Sequence, residues 1–225
     1  MRCEAAALGY LPAAAHRGVA VAVWDKRGVL DALETGGEAV LELGCGSRKR
    51  IPGAIGIDAR DLPEVDVVGD VFDVLSGLPE ASIAAIHSSH FLEHLPSLEH
   101  FLHEATRVLR PGGRLEAVVP HFSNPYYYSD PTHRTPFGLY TFSYFARDDL
   151  FARRVPHYGA RLPLRLAEAR LVFRSPAAFP VRRLAKRVLG PLFNASRSVQ
   201  EFYEENLCFW LPCYEVVFAL EREAS

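Results

Sequence analysis

Residues 90–94 read HFLEH, and the types and spacing of their polar side chains could bind a metal ion. In the H-x-x-E-H pattern of inverted zinc proteases, two histidines hold zinc and the glutamate between them activates a water molecule. One hypothesis is therefore a zinc-dependent hydrolase that acts through His90, Glu93 and His94. Such a site also needs a third ligand and both histidines on one helical face, but Pro96 interrupts the segment two residues after His94. From the sequence we expect no metal at this segment.

A second group of candidate residues surrounds the turn LELGCGS. Gly44 and Gly46 can adopt positive φ and have no Cβ, so a ligand could approach the backbone closely. Asp58, at the end of the next apolar segment, could accept hydrogen bonds from both hydroxyls of a ribose. A dinucleotide-binding fingerprint would need glycine in place of Lys49, and the phosphate-binding G-K-[ST] string is absent. The turn therefore suits a nucleoside without a phosphate chain there, and Asp70 could accept from an adenine amino group or cap a helix.

These residues lie at the ends of segments that alternate between strand and helix patterns. Apolar residues at helical spacing predict a helix over 97–110, with Ser97 as its N-cap. Because most predicted strands are too apolar to have a solvent-exposed face, we expect an α/β fold with a mostly parallel sheet. The predicted strands are 38–46, 54–58, 66–70, 81–89, 113–120, 162–174 and 214–221, and further helices are predicted at 180–190 and 197–206.

Taken in order, these motifs resemble those of the class I S-adenosylmethionine-dependent methyltransferases. LELGCGS is similar to the first motif of that family, GID to its second-strand acid and GDVFD to its adenine-side acid. SSHFLEHL and EATRVLRPGGRLEAVVP resemble its fourth strand, following helix and fifth strand. The resemblance covers about residues 38–120 and implies a Rossmann-like, doubly wound, seven-stranded sheet with S-adenosylmethionine as cofactor. One departure is SRKRIPGA, which is too short and too basic for the usual first helix, so Arg48, Lys49 or turn amides would bind the methionine carboxylate.

The resemblance also assigns residues to the cofactor. It implies that Gly44 and Gly46 contact the amino-acid end, Asp58 the ribose and Asp70 the adenine. Within HFLEH, the EHL pattern of the family implies that the glutamate and second histidine fix the turn into the next helix, and His90 lies near the cofactor or the acceptor. The predicted cofactor-binding residues are Glu42, Gly44, Cys45, Gly46, Asp58, Asp70, Val71, Ser88 and His90.

Candidates for catalysis follow the fifth strand, in an aromatic stretch predicted to form a substrate lid or a packed structural insertion. Methyl transfer from a sulfonium is an in-line displacement that depends mostly on proximity and alignment. A hydroxyl acceptor would also gain from a positioned base, and histidine is the commonest one. We predict His133 as that base, with Asp130 orienting it, and His121 as the second choice. Each of these histidines could instead make a turn-stabilising hydrogen bond.

Charge is distributed unevenly along the chain. The formal net charge is −2 and hydrophobic residues make up 49% of the sequence, which describes an ordinary globular protein and gives no sign of nucleic-acid binding. Residues 147–197, however, hold twelve Lys and Arg against three acids, which indicates an anionic partner or a solvated basic face. A basic amphipathic helix over 179–193 could rest on an anionic membrane or hold a phosphorylated substrate, or pack its apolar side on the core.

The cysteines and the amino-terminal stretch suggest a cellular location. Cys3, Cys45, Cys208 and Cys213 form no C-x-x-C pair, which fits a reducing compartment. Because there is neither a signal-peptide pattern nor a run of eighteen apolar residues, we expect a cytoplasmic protein. We predict one domain over 1–225. Its parts are a helical segment 1–37, a cofactor-binding core 38–120, a substrate lid 121–160 and a C-terminal part of the sheet with the basic helix, 161–225.

The residues and the resemblance together predict an S-adenosylmethionine-dependent methyltransferase. We expect the acceptor to be a small molecule or glycan, anionic or lipid-linked, that is methylated on a hydroxyl. The alternative is an RNA or protein methyltransferase, which would carry a positive surface continuous with the pocket and bind in a salt-dependent way. A zinc hydrolase would hold a metal, and a binding module would retain the cofactor pocket without methyl transfer.

Overall fold

A computed structural model describes residues 23–159 and 161–224 of the chain. The described residues form one mixed sheet of nine strands, four helices and three short 3-10 turns at Leu92–His94, Tyr127–Ser129 and Phe142–Tyr144. The strands are β1 (Trp24–Asp25), β2 (Ala39–Leu43), β3 (Ile55–Asp58), β4 (Val67–Val68), β5 (Ile83–Ser89), β6 (Leu109–Pro120), β7 (Arg147–Asp148), β8 (Leu164–Val172) and β9 (Glu215–Arg222). The helices are α1 (Val71–Gly77), α2 (Leu98–Val108), α3 (Pro180–Phe193) and α4 (Arg197–Asn206).

The strand order in the sheet is β1-β4-β3-β2-β5-β6-β9-β8-β7. Strands β4, β3, β2, β5 and β6 run parallel to one another, whereas β9 is antiparallel to both of its neighbours. The predicted Rossmann-like α/β class is confirmed. The prediction of seven strands misses the edge strands β1 and β7, each of which is two residues long.

Because the five central strands run parallel, their carboxyl ends lie at one edge of the sheet. Leu43 pairs with Ile57 on one side and with Ser88 on the other, and Ser89 pairs with Val118. The turns that follow β2, β3, β5 and β6 therefore lie at the same edge. In open α/β sheets this edge is where ligands bind.

Helix α2 shows how the sequence fixes an element that supports this edge. Ser97 accepts a hydrogen bond from the backbone N–H of His100, which satisfies an amide that the first turn leaves free. The apolar residues predicted from the period face the sheet, and Phe101 is fully buried among them. Removal of such a ring from a core costs about 3–5 kcal/mol, so α2 is held mainly by packing.

The predicted N-terminal helical segment is wrong over its described part. Residues 1–22 lie outside the described residues, and 23–37 form β1 and a series of turns. Asp25 accepts hydrogen bonds from the N–H groups of Arg27 and Leu30, and Gly28 has φ +64°. A side chain that binds nearby amides in this way favours a turn over a helix.

The aromatic stretch after β6 is largely part of the core. Phe137, Phe142 and Phe151 are buried, and the Phe142 ring packs edge-on against Phe218 of β9 with centroids 4.8 Å apart. Tyr128, in contrast, is 68% exposed. The inward-facing rings anchor this segment to the sheet, as expected of a packed insertion.

In helix α3 the apolar stripe faces solvent and is not, as one of the two alternatives predicted, packed on the core. Its buried residues are Lys186, Gly190 and Phe193, whereas Val181 is 82% exposed and Leu184 is 65% exposed. The Lys186 Nζ donates hydrogen bonds to the carbonyls of Arg174 and Pro212, which explains how a lysine can face inward. Within the described part of the chain, no helix has the length and hydrophobicity that a membrane span requires.

Candidate active site

The turn after β2 has the backbone conformation that its glycines predict. Gly44 has φ +63° and Gly46 has φ +62°, a region that residues with a side chain rarely adopt. The Gly44 N–H donates to the carbonyl of Ile57 at 2.8 Å. A Cβ added at Gly44 would lie 2.6 Å from a ring carbon of Phe91, so the backbone at Gly44 leaves no room for a side chain.

The two predicted acids differ in their surroundings. The Asp58 side chain is only 10% exposed and accepts hydrogen bonds from the N–H groups of Gly46, at 3.0 Å, and Arg60, at 2.9 Å. Asp70 is exposed and caps α1 by accepting from the N–H of Phe72 at 2.8 Å. The alternative role of Asp70 as a helix cap is therefore present, and a carboxylate retains acceptor capacity for a ligand as well.

A cavity of about 190 Å³ opens beside these acids. It is bounded by the glycine turn, by the ends of β3 and β4 and by the segment after β5, and the buried Val71 contributes to its wall. The lining includes Gly44, Asp58, Asp70, Val71, Phe72, Phe91 and His94. Two carboxylates beside an aromatic ring fit a nucleoside, with ribose hydroxyls as donors and a base that stacks.

A second cavity, of about 660 Å³, lies on the other side of Gly44 and is lined by the basic loop 47–50. Residues 44–54 form turns rather than a helix, as the departure from the family pattern predicts. Glu42 takes over the role of anchoring this loop, because its buried carboxylate accepts from the N–H groups of Arg50 and Ile51 at 2.9 Å. Arg48 is exposed and lines the cavity, as does Arg50.

Two other residues of this turn have contacts that limit their roles. Lys49 Nζ donates to Asp66 Oδ2 at 2.7 Å and to the carbonyl of Ala54 at 3.1 Å. It is thus engaged within the protein, which leaves Arg48 and the turn amides as partners for a carboxylate. Burial, with Asp58 nearby, raises the pKa of the Cys45 thiol to about 11, so this side chain is a neutral wall of the cavity.

The end of β5 contributes two polar residues. Ser88 is buried, and within the described part of the chain its Oγ has no hydrogen-bond partner. His90 has φ +54°, and its Nε2 lies 2.8 Å from Glu215 Oε1 on β9. The hydrogen bond with Glu215, together with the nearby Glu93 carboxylate, raises the pKa of His90 to about 9. His90 is therefore held as a cation at the ligand edge.

Comparisons with known proteins agree with this geometry. The family model for a methyltransferase domain matches residues 51–117. A structure of an S-adenosylmethionine-dependent methyltransferase from Archaeoglobus fulgidus has 17% identity and a TM-score of 0.52, over 85% of this chain and 89% of that chain. Over residues 51–117 the chain contains a methyltransferase domain, and its fold is that of the class I S-adenosylmethionine-dependent methyltransferases. Its cofactor is S-adenosylmethionine, and the glycine turn, with positive φ at Gly44 and Gly46, and the cavity beside Asp58 and Asp70 fit that molecule.

Two further solved structures are similar to this methyltransferase. Phosphoethanolamine N-methyltransferase 2 of Haemonchus contortus, in complex with S-adenosylmethionine, has 12% identity and a TM-score of 0.48, over 85% of this chain and 50% of that chain. A structure of a putative methyltransferase in complex with the Trm112 activator, from Haloferax volcanii, has 16% identity and a TM-score of 0.47, over 87% of each chain. No curated protein matches the sequence of this methyltransferase.

The predicted base His133 lies at this edge of the methyltransferase, but its partner differs from the prediction. Its Nδ1 is 2.9 Å from the carbonyl of Tyr127, to which it donates, and its Nε2 is 3.7 Å from Asp130 Oδ2. Asp130 instead accepts from the N–H and hydroxyl of Thr132. The Tyr127 carbonyl thus orients His133, because Asp130 is beyond hydrogen-bond distance.

The second predicted base, His121, is fully buried. Its Nδ1 accepts from the N–H of Ser123 at 3.0 Å, and its Nε2 lies 3.1 Å from Glu204 Oε2 on α4. Both ring nitrogens are therefore occupied by groups of the protein. These contacts argue for a structural role that joins β6 to α4 rather than for the predicted general base.

Three site residues were missed by sequence reasoning. Glu215 lies 125 positions from His90 and has no local signal, so only the β6–β9 pairing brings it to the edge. Tyr127 lies in the aromatic stretch after β6 and contributes its backbone carbonyl, which no side-chain pattern predicts. His94 was assigned to the turn, yet it lines the smaller cavity. The HFLEH spacing was the one available signal for this histidine.

Proposed function

We propose that this methyltransferase methylates a hydroxyl group of an anionic small molecule or glycan. The observation that carries the proposal is the position of His94 and His133, whose rings pack edge-on with centroids 4.8 Å apart. His94 lines the nucleoside-sized cavity together with Asp58 and Asp70. A hydroxyl acceptor needs to lose its proton as the new bond forms, and a histidine beside the methyl donor meets that need.

The hydrogen bonds of these histidines leave one nitrogen of each ring free for chemistry. The Nδ1 of His133 donates to the Tyr127 carbonyl, so in the neutral ring Nε2 carries a lone pair. When bound, S-adenosylmethionine supplies an electrophilic methyl group. The chain aligns the acceptor with that group and withdraws the hydroxyl proton, an effect worth about 10²- to 10⁴-fold in rate.

An arginine-lined cavity of about 650 Å³ supports an anionic acceptor. Its walls include Arg174, Arg183 and Arg187, and the buried Oγ of Ser175 has no hydrogen-bond partner in the described chain. Arg174 NH1 lies 3.4 Å from Glu215 Oε2, and Glu215 contacts His90. The Glu215 carboxylate thus lies between Arg174 and the edge of the sheet that binds the cofactor. Guanidinium groups are the preferred partners of phosphate.

Helix α3 supports contact with an anionic membrane and, with it, a lipid-linked acceptor. Its exposed apolar stripe begins before the helix at Phe179 and continues through Val181, Leu184, Val188 and Leu192. The helix contains no acidic residue, and the exposed Arg183 and Arg187 flank the stripe. A stripe of this kind, flanked by arginines, suits the boundary between lipid headgroups and acyl chains.

The substrate lid over 121–160 is also part of the proposal. Tyr126 is 51% exposed and lines a cavity together with Arg174 and Tyr214, next to the arginine-lined cavity. Exposed aromatic rings beside arginines suit a sugar ring that carries a phosphate. The packed rings Phe137 and Phe142 hold this wall on the sheet.

The test is a methyl-transfer assay with radiolabelled S-adenosylmethionine and four classes of acceptor: sugar phosphates, lipid-linked glycans, RNA and protein. We expect label in one of the first two classes, on oxygen as located by mass spectrometry. Label confined to RNA or protein would instead establish the alternative methyltransferase. No transfer to any class, with the cofactor bound, would indicate a binding module.

His133→Gln tests the proposed base in the same assay. We expect the rate to fall about 10²- to 10⁴-fold while the affinity for S-adenosylmethionine, measured by calorimetry, stays within threefold or so. His121→Asn is the matched control, because it alters a histidine at the same end of the sheet that contacts only the protein. Equal activity of His133→Gln and the wild type would refute the role of His133.

A further inference from the structure

The side chain of Glu93 is buried in a way that demands a positively charged partner. It is fully buried, and neither of its carboxylate oxygens has a hydrogen-bond partner among the residues described. Burying an unpaired carboxylate is costly enough to threaten the stability of a whole domain. Groups of this kind in native proteins therefore have a specific explanation, such as an ion.

The tautomers of two neighbouring histidines follow from their hydrogen bonds. The Thr132 hydroxyl donates to Asp130 Oδ1 at 2.6 Å, so its oxygen is free to accept from His94 Nδ1, which lies 2.9 Å away. His133 Nδ1 donates to the Tyr127 carbonyl at 2.9 Å. In the neutral state both histidines thus carry their proton on Nδ1, and their Nε2 atoms carry lone pairs.

These lone pairs converge on the buried carboxylate. His94 Nε2 lies 3.9 Å and His133 Nε2 lies 4.0 Å from Glu93 Oε1, and the three ligand atoms lie within 4.8 Å of one another. Three electron-rich atoms at these distances repel one another unless a proton or a metal cation lies between them. In a tetrahedral zinc site, bonds of about 2.0–2.1 Å separate the ligand atoms by roughly 3.4 Å. The two nitrogen–oxygen distances would therefore shorten by roughly 0.5 Å on metal binding, and the widest separation in the cluster by up to roughly 1.4 Å.

His90 offsets the charge of Glu93 only in part. Its Nδ1 lies 3.5 Å from Glu93 Oε1, but its Nε2 lies closer, at 2.8 Å, to Glu215 Oε1. The short contact draws His90 toward β9, and the oxygens of Glu93 stay without a hydrogen bond. His90 is therefore a neighbour of the cluster and not one of its three members.

We propose that Glu93, His94 and His133 bind a divalent transition-metal ion, zinc by the preference of their donor set. Two imidazole nitrogens and one carboxylate oxygen are typical ligands of zinc, and three protein ligands leave a coordination position open. The contacts of His94 to the Thr132 hydroxyl and of His133 to the Tyr127 carbonyl are the outer hydrogen bonds that orient metal-binding histidines. The sequence argued against a metal because it showed no third ligand, and the fold provides one in His133.

The proposed metal site also suggests how the acceptor hydroxyl loses its proton. This role of the metal rests on the proposed function. His94 lines the cavity assigned to the cofactor, so the open coordination position lies next to that cavity. A metal ion there would bind the acceptor hydroxyl and lower its pKa, so that the proton leaves to solvent before the methyl group arrives. His133 would then act as a ligand that holds the metal, in place of a free base.

The site itself is tested by titrating the full-length, chelator-treated protein with Co²⁺ and then with Zn²⁺. We expect saturation of the visible absorption of bound cobalt at one equivalent, and its loss when zinc displaces cobalt. Glu93→Gln and His133→Ala should each weaken binding by more than 100-fold, and Thr132→Val, which alters an outer hydrogen bond, by about 10- to 100-fold. His103→Ala is the control, because His103 lies exposed on α2 away from the cluster.

Circular dichroism and melting curves establish that each variant folds, and His133→Ala and Thr132→Val keep the test decisive if Glu93→Gln does not fold. Binding without saturation, or equal binding by the wild type and His133→Ala, would overturn the site. Nitrogen-15 NMR that shows doubly protonated His94 and His133 unchanged by zinc would do the same.

Activity separates the site from the proposed function. Full hydroxyl methylation by the metal-free protein would overturn the role of the metal and leave the proposed function standing. Stoichiometric zinc binding in a protein that methylates no hydroxyl would support the site and refute the proposed function.

Discussion

The turn after β2 and the exposed side of α3 use charged residues in opposite ways. At the turn, charged side chains are bound by the protein itself: Lys49 pairs with Asp66, and Glu42 holds the loop amides. On α3, Arg183 and Arg187 remain exposed beside an apolar stripe. Glu42 and Lys49 at the cofactor edge therefore shape the backbone, whereas Arg183 and Arg187 on α3 are available to a partner. Amino-acid composition does not distinguish charged side chains that are bound within the protein from those that are exposed.

Gly44→Ala should have the largest effect at the turn. The substitution places a Cβ against the Phe91 ring and a side chain at φ +63°, with a combined cost of about 2–5 kcal/mol. We expect the affinity for S-adenosylmethionine, measured by calorimetry, to fall by about 100-fold or more. Gly53→Ala is the control, because Gly53 has φ +79° but nothing within 4 Å of an added Cβ. Equal losses in both variants would show that strain alone, and not the cofactor edge, is being measured.

The double variant Arg183→Gln/Arg187→Gln tests whether the exposed charges of α3 bind an anionic surface. Each arginine near an anionic surface contributes about 1 kcal/mol to binding, so the loss of both should weaken binding about 30-fold. Co-sedimentation with vesicles of phosphatidylserine and phosphatidylcholine measures this, with vesicles of phosphatidylcholine alone as the reference. The melting temperature should stay unchanged because both side chains are exposed. Wild-type binding that is equally weak to both vesicles would refute membrane contact.

Glu42→Gln should have a smaller effect, on stability. The variant loses the negative charge that accepts hydrogen bonds from the N–H groups of Arg50 and Ile51. We expect the free energy of unfolding to fall by about 1–3 kcal/mol, because hydrogen bonds to charged groups are stronger than neutral ones. Urea denaturation measures the change. A fall in cofactor affinity with no change in stability would instead indicate direct contact with the cofactor.

We expect the smallest effect at Lys186, on the pH dependence of stability. Lys186 is buried, unlike the exposed Arg183 and Arg187 on the same helix. Burial, together with the nearby Arg182, lowers the pKa of Lys186 from 10.5 to about 8. The unfolded state therefore binds more protons between those values, and the free energy of unfolding should rise with pH from about 8 to 10.5. Urea denaturation across this range measures the slope, and Lys186→Met should flatten it. An identical slope in the variant would assign the pH dependence to other groups.

Much of the cofactor edge was predictable because its signals are local. The glycine turn and Asp58 are read from short strings, and the predicted helix cap at Ser97 is confirmed. The prediction for 23–37 is wrong because the hydrogen bonds of Asp25 to nearby amides are stronger determinants there than composition. The roles of His121 and His133 could not be separated, because both follow β6 and only burial distinguishes them.

The sequence by itself determined the class of fold and the places of the glycine turn and the strand-end acids, because hydrophobic period, glycine turns and strand-end acids act over a few residues. Only the tertiary structure decided which side of α3 faces solvent and which third residue joins HFLEH. His133 meets Glu93 across forty positions, and Glu215 meets His90 across 125. Such meetings depend on strand pairing and on the burial of distant segments together. No local sequence pattern predicts these contacts, because the free energy that stabilises them comes from the packing of the whole sheet.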